Sequence, residues 1–206
     1  ASNTLAADVT AKSTDGHTMV MGVSTAHAIA PHLLKLAYNS DKDLVPVAFV
    51  GAVPNVLVVN NELGVNSVAE LVALAKKNPG KLNYASSGSG STQHIAAELF
   101  KEATGVFVTH IPYRGSSPAL IDLMGGQVQM SFLSMGSVFA QVRAQKLRPI
   151  AIASPTRAKM APDVPTMIEA GVTGFVVTAG FGLFAPAGTP RPTIDRVLAA
   201  LKASLS

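Results

Sequence analysis

The feature that most constrains the fold is an alternation. Short β-branched or apolar runs are followed repeatedly by longer stretches whose apolar residues recur at helical spacing. This pattern predicts an α/β fold with a largely parallel sheet, because each parallel strand needs a crossover of helical length before the next. Runs at residues 18–23, 48–51, 56–60, 82–85, 106–111, 128–133, 148–153 and 181–185 read as strands, with Pro54 separating the second from the third. Between them, Ser67-Val68-Ala69-Glu70 has the form of a capping box, and Val68, Leu71, Val72 and Ala75 make that helix's inward face. Asn78-Pro79-Gly80 stops it. Ile95, Leu99, Phe100 and Ala103 predict the inward side of a second helix, ended by Gly105. Ser117 followed by Pro118 opens a third, which Gly125-Gly126 closes, and residues 138–145 form a fourth. A polar connection at 154–165 leads to a short helix near 166–170. The chain ends in a helix after Thr189-Pro190 with Ile194, Val197, Leu198 and Leu201 on one face.

The 206 residues, 48% hydrophobic and 14% charged, can bury a sizeable core. There is no cysteine, which excludes a disulfide scaffold, a thiolate metal site and a cysteine nucleophile. A net charge of +4 gives a mild bias toward anionic ligands, and no Lys/Arg run or basic–aromatic stripe points to nucleic acid. No apolar run approaches the length of a membrane span. Residues 1–12 lack the charged-then-apolar order of a secretory signal, so an exported protein is expected to have lost its signal already.

Three strand-to-helix turns carry the groups suited to binding. The first is Ser86-Ser87-Gly88-Ser89-Gly90-Ser91, leading into a helix. Glycines let backbone approach a ligand, the first helical turn has unpaired N–H groups, and hydroxyls add adjustable donors, so a carboxylate fits without a charged side chain. It is neither a Walker A motif nor G-x-G-x-x-G. An ordinary loop with an N-cap serine is the alternative reading. The second is Ser24-Thr25-Ala26-His27 after the first strand, where Ser24 or Thr25 alternatively just caps a helix running toward Leu36. The third is Tyr113-Arg114-Gly115-Ser116-Ser117, where Arg114 either pairs with a carboxylate or is a solvated surface residue.

Groups for catalysis are scarce. The histidines at 17, 27, 32, 94 and 110 include no H-E-x-x-H, and His27 and His32 are five apart, off the i,i+4 face of a helical zinc pair. There is no G-x-S-x-G nucleophile elbow and no carboxylate pair placed for acid/base work. No catalytic residue, metal or cofactor is expected.

Several motifs, taken in order, resemble the tripartite tricarboxylate transporter solute receptors, also called the Bug family. They are Asp15-Gly16-His17-Thr18-Met19, the turn at Ser24, Tyr84-Ala85-Ser86-Ser87-Gly88-Ser89-Gly90-Ser91-Thr92-Gln93-His94, Tyr113-Arg114-Gly115, and Leu123-Met124-Gly125-Gly126-Gln127-Val128. Lys146-Leu147-Arg148, Asp163-Val164-Pro165-Thr166 and residues 181–190 continue the match. The resemblance implies a type II periplasmic-binding-protein fold, with two α/β lobes, a ligand cleft between them, and crossovers near residues 52–57 and 176–182. It implies lobe one at 1–55 and 180–206 and lobe two at 56–179. It also implies a periplasmic receptor that captures a small organic acid, closes on it, and presents it to a membrane permease. The alternative is a sensing module that hands its bound state to a signalling partner.

Carried onto this sequence, the family's ligand contacts are Ser24, Thr25 and Ala26 from lobe one. From lobe two they are Ser87, Gly88, Ser89, Gly90, Ser91 and Thr92, with Phe132, Leu133 and Ser134 as a further wall. The chain departs from the family in three places. It is expected to start after a strand–helix–strand that carries a proline-glycine ligand loop, and to be short at its C-terminal end. Leu133 stands where many members have an aspartate, which argues against an amino-acid ligand. Gly180 stands where an aromatic residue is common, which implies a wider or less apolar pocket.

Overall fold

The computed structural model describes residues 3–205. The chain divides into two compact units, one made of residues up to Ala52 together with those from Gly180 onward, the other of Val53–Ala179.

The second unit is a sheet covered on both faces. Its strands are the latter part of β2 (Leu44–Asn60), β3 (Asn83–Ser86), β4 (Thr109–Pro112), β5 (Met130–Ser134) and β6 (Leu147–Ile152), in the order β6-β2-β5-β3-β4. The helices are α3 (Val68–Lys77), α4 (Thr92–Thr104), α5 (Ser116–Met124) and α6 (Met135–Arg143). Side chains alternate across each strand, so Leu57, Val59 and Phe132 enter one core with Leu71 of α3 and Phe100 of α4. Val56, Val58 and Leu133 enter the other with Leu123 of α5 and Val138 of α6. With both faces covered, these strands read as unbroken apolar runs rather than alternating ones.

The sheet is mixed rather than largely parallel. β3 runs parallel to β4 and β5, but β2 is antiparallel to β5 and β6. The expected break at Pro54 is also absent, since β2 is one strand of 17 residues. Pro54 stands one residue before the pairing with β5, which starts at Asn55, so its missing N–H takes nothing from that ladder.

The caps hold the crossovers in register. Ser67 Oγ accepts the Glu70 N–H at 3.1 Å, but Glu70 Oε2 returns to the N–H of Asn66, one residue before the cap, at 2.8 Å. Gly105 ends α4 at φ 65°, a left-handed conformation that costs most residues free energy. The helix at 166–170 is instead one turn, in which Thr166 Oγ1 accepts from Glu169 N and Glu169 Oε2 accepts from Thr166 N.

On α4 the inward residues are Gln93, Ala96, Ala97 and Phe100, while Leu99 and Ala103 are exposed. The expected face is thus rotated. The two alanines let the helix lie close to the sheet, and Phe100 meets Phe132 with ring centroids 5.9 Å apart.

The first unit contains α1 (Thr4–Ala11), β1 (Val20–Val23), α2 (Ala30–Leu33), the first part of β2, most of β7 (Thr178–Pro186) and α7 (Arg191–Leu205). β1 pairs antiparallel with β7, which neighbours β2. Val47, Ala185 and Ile194 form one small core, and Ala7, Tyr38 and Leu44 another. α1 has no counterpart among the expected helices, because its only buried residues are Ala7 and Thr10, too few to write an apolar stripe.

Candidate functional site

In the second unit the parallel arrangement of β3, β4 and β5 puts their carboxyl ends at one edge of the sheet, and α4, α5 and α6 each begin there within a few residues. Ligands of open α/β sheets gather at such an edge. Antiparallel β2 reaches the same edge at Asn55, opposite Ser134.

The turn after β3 is a bonded cradle. Gly88 and Gly90 lie at φ 129° and 77°, where a β-carbon is strained, and both are buried. Ser86 Oγ accepts the Gly88 N–H at 3.1 Å, Gln93 Oε1 accepts the Ser87 N–H at 2.6 Å, and the Gly88 carbonyl accepts the Ser91 N–H at 3.2 Å. His94 Nδ1 accepts the Gly90 N–H at 3.2 Å. Ser91 is the N-cap of α4, its hydroxyl accepting the His94 N–H at 3.2 Å.

The amides of Ser87, Gly88, Gly90 and Ser91 are therefore occupied within the loop, which narrows the expectation that this backbone would wrap a ligand. The N–H groups that α4 itself leaves without a partner are those of Thr92 and Gln93, in its first turn. Beside them Ser87 and Thr92 are half-buried and Ser89 is exposed. The surface offered to a ligand is a helix N-terminus flanked by hydroxyls, with the dipole's positive end facing outward.

Gln93 is not among the expected contacts, yet it organises the site. It is 5% exposed, and its amide joins two turns, accepting from Ser87 N and donating to Ser116 Oγ at 2.9 Å. A buried amide one residue inside a helix was the available signal. Asn55 was also missed. It is fully buried, its Nδ2 donates to the Val177 carbonyl at 3.2 Å, and its Oδ1 has no protein partner.

Behind the loop stands an aromatic stack. His110 lies 4.3 Å from His94 and 4.7 Å from Tyr84, centroid to centroid, and its Nε2 is 2.6 Å from Ser86 Oγ. Burial, reinforced by neighbouring His94, pulls the His110 pKa down to about 4. Burial also lowers that of His94. Tyr84 donates to Glu98 Oε1 at 2.5 Å, and Lys101 pairs with Glu98 Oε2 at 2.8 Å. Burial pulls the Glu98 carboxyl up, but these two bonds outweigh it and hold the group below its ordinary value.

The wall residues divide. Phe132 and Leu133 are wholly buried, one in each core, with Phe132 stacked on Phe175 at 5.6 Å. Their side chains support the sheet and present nothing to a ligand, so of the three only Ser134 is partly accessible, with its hydroxyl 2.9 Å from that of Ser137. Arg114 is exposed on the turn after β4.

In the first unit, Ser24 is exposed and accepts the Gly180 N–H at 3.2 Å, whereas Thr25 and Ala26 are 2% and 0% exposed. Residues Thr25–Ile29 form a π-helical turn, a geometry frequent at functional sites, rather than the regular helix expected toward Leu36. His27 stacks on Phe184 at 4.0 Å, both its ring nitrogens are buried without a partner, and burial lowers its pKa. A cavity of about 570 Å³ in this unit is lined by Asp15, Asp43 and residues 186–190 and includes none of the expected contacts. Among the described residues, no cluster of three or more histidines and carboxylates is placed to hold a metal ion.

Helix N-termini and hydroxyls gathered at the carboxyl edge of the strands define a small-ligand-binding α/β protein. Over residues 1–206 the chain matches the model of the tripartite tricarboxylate transporter family receptor, and it belongs to that family. It is 41% identical over 192 residues to the protein BugT of Bordetella pertussis, covering 92% of this chain and 59% of BugT. It superposes on a Rhodopseudomonas palustris protein solved with adipate at TM-score 0.91 and 35% identity, covering 98% of this chain and 67% of that one. MatC from the same organism, solved with bound malate, gives TM-score 0.90 and 35% identity over 100% of this chain and 70% of MatC. The chain spans about three-fifths of the length of the curated relatives it matches, 61% and 59% for the first two.

Proposed function

We propose that this protein captures a small organic carboxylate in the periplasm and delivers it to the permease of a tripartite tricarboxylate-type transporter. The observation that carries the reading is the start of α4. Two helical N–H groups without helical partners, at Thr92 and Gln93, stand among the hydroxyls of Ser87, Ser89 and Thr92, on a loop whose Ser87, Gly88, Gly90 and Ser91 amides are tied internally. Such a site takes an anion by hydrogen bonds and dipole rather than by an ion pair. The half-buried hydroxyl of Ser134 would supply a further polar contact. Family membership, and relatives solved with the dicarboxylates adipate and malate, support a carboxylate as the ligand class. Family membership among solute receptors supports capture rather than turnover.

Thermal unfolding against mono-, di- and tricarboxylates, with amino acids and sugars as controls, tests the proposal. A ligand at a hundred times its dissociation constant stabilises by about 2.7 kcal/mol, which raises the midpoint by several degrees. A rise confined to one class of acid supports the reading. A rise with sugars or amino acids alone refutes it.

A further inference from the structure

The stacked histidines touch the loop through atoms whose hydrogen-bonding sense depends on a proton. His94 Nδ1 accepts the Gly90 N–H, so in this arrangement its own proton sits on Nε2, which faces Glu98 Oε1 at 4.0 Å. A protonated His94 would carry N–H at both nitrogens, and the Gly90 N–H would then point at a donor. The Ser86 contact behaves differently. Ser86 Oγ already accepts from Gly88 N and lies 3.2 Å from the Gly88 carbonyl, so whichever partner supplies the proton, the bond to His110 Nε2 survives. His94 alone is bound in a way that one proton abolishes.

From this geometry we infer that His94 is a proton-operated clasp on the 86–91 loop. Neutral, it anchors Gly90 and holds the start of α4 in its anion-accepting form; protonated, it releases Gly90. The groups facing it are Tyr84 from β3, His110 from β4, and Glu98 and Lys101 from α4. Lys101 and a second imidazole at 4.3 Å oppose a charge on the ring, while Glu98 favours it. Of the two stacked imidazoles, His94 is the one whose proton acts on the loop. The bearing on ligand capture rests on the receptor reading above: mild acid would loosen the cradle and weaken anion binding, a positioning effect exerted through backbone.

The test needs no ligand, so its failure is distinct from failure of the receptor reading. NMR follows the His94 Cε1–H signal and the Gly90 amide in one sample from pH 8 to pH 4, with amide exchange expressed as protection relative to unstructured chain. The Gly90 amide should shift with the same midpoint as the His94 ring, and its protection should fall about fivefold, the worth of one net hydrogen bond. His94→Asn keeps an acceptor near the Nδ1 position and does not titrate, so its Gly90 amide should stay protected throughout. His94→Phe keeps the stack without the acceptor, so its Gly90 amide should be exposed at every pH. A Gly90 amide that ignores the His94 titration, or that titrates equally in His94→Asn, overturns the inference.

Discussion

Gln93 offers the sharpest separation of folding from binding. Its side chain accepts from Ser87 N at 2.6 Å and donates to Ser116 Oγ at 2.9 Å, and its own N–H belongs to the first turn of α4. Gln93→Leu keeps the volume and removes both bonds. At about 1 kcal/mol net for each, the loss is about 2 kcal/mol, or about 4–8 °C in a domain of this size. Gln93→Glu should behave in the opposite way. A carboxylate accepts from Ser87 N and from the Ser116 hydroxyl, and at the second position of a helix its charge gains about 0.3–1 kcal/mol from the dipole, so the fold should hold. Binding should not. An anionic ligand about 6 Å from that charge, at an effective dielectric constant of 20, meets about 2.8 kcal/mol of repulsion, close to a hundredfold in affinity. Calorimetric titration of both variants with the acid identified by the unfolding panel gives the answer. If Gln93→Glu binds that acid as tightly as the parent, the anion does not sit at the start of α4.

The glycines of the first unit make opposite predictions. A β-carbon on Gly22 would lie 2.3 Å from His27 Nε2 and 2.7 Å from the Phe184 ring, so Gly22→Ala should cost about 1–3 kcal/mol by chemical denaturation. A β-carbon on Gly180 meets Ser24 and Phe49 at ordinary contact, 3.5 and 3.7 Å, so Gly180→Ala should be neutral or stabilising by about 0.4–1 kcal/mol. Stability should also fall in acid. His110 in the folded chain titrates at about 4 against an ordinary value of 6.5, so its share is complete above 6.5 and is lost as pH drops from 6.5 to about 4. Buried His27 and His94 act in the same direction. Unfolding midpoints measured across that window should decline, less steeply in His110→Gln.

Local chemistry made much of this legible in advance. Ser67 and Gly105 cap where their types and spacing predict, because capping depends on a few adjacent atoms, whereas α5 is capped by Gly115 and not by Ser117. The doubly covered strands announced themselves through runs such as Val56-Leu57-Val58-Val59. What failed to show was decided by distant partners. Whether a strand is parallel is invisible in its own residues, so β2 and β6 altered the sheet without changing the pattern. Pro54 reads as a breaker until it is known that the ladder to β5 starts after it. Leu99 looks like core by type, but two small alanines set the helix closer and turn it outward. At the site, the serine-glycine stretch was visible. That most of its amides are consumed by Ser86, Gln93 and His94 depends on side chains folding back, which no spacing rule encodes.

The division of the chain also governs the order in which it acquires structure. The first unit is discontinuous and the second is one uninterrupted segment, so during synthesis the second can be complete while the first still lacks β7 and α7. Pairing β1 with β7 in an unstructured chain would close a loop of about 160 residues. The second unit already brings its own ends together, with the Asn55 N–H on the Val177 carbonyl at 3.3 Å. That leaves about 36 residues of slack, a saving of about 1.3 kcal/mol in closure entropy. A lesion in the core of the second unit, at Phe132 or Phe100, would therefore also restore the longer loop that β1 and β7 must close.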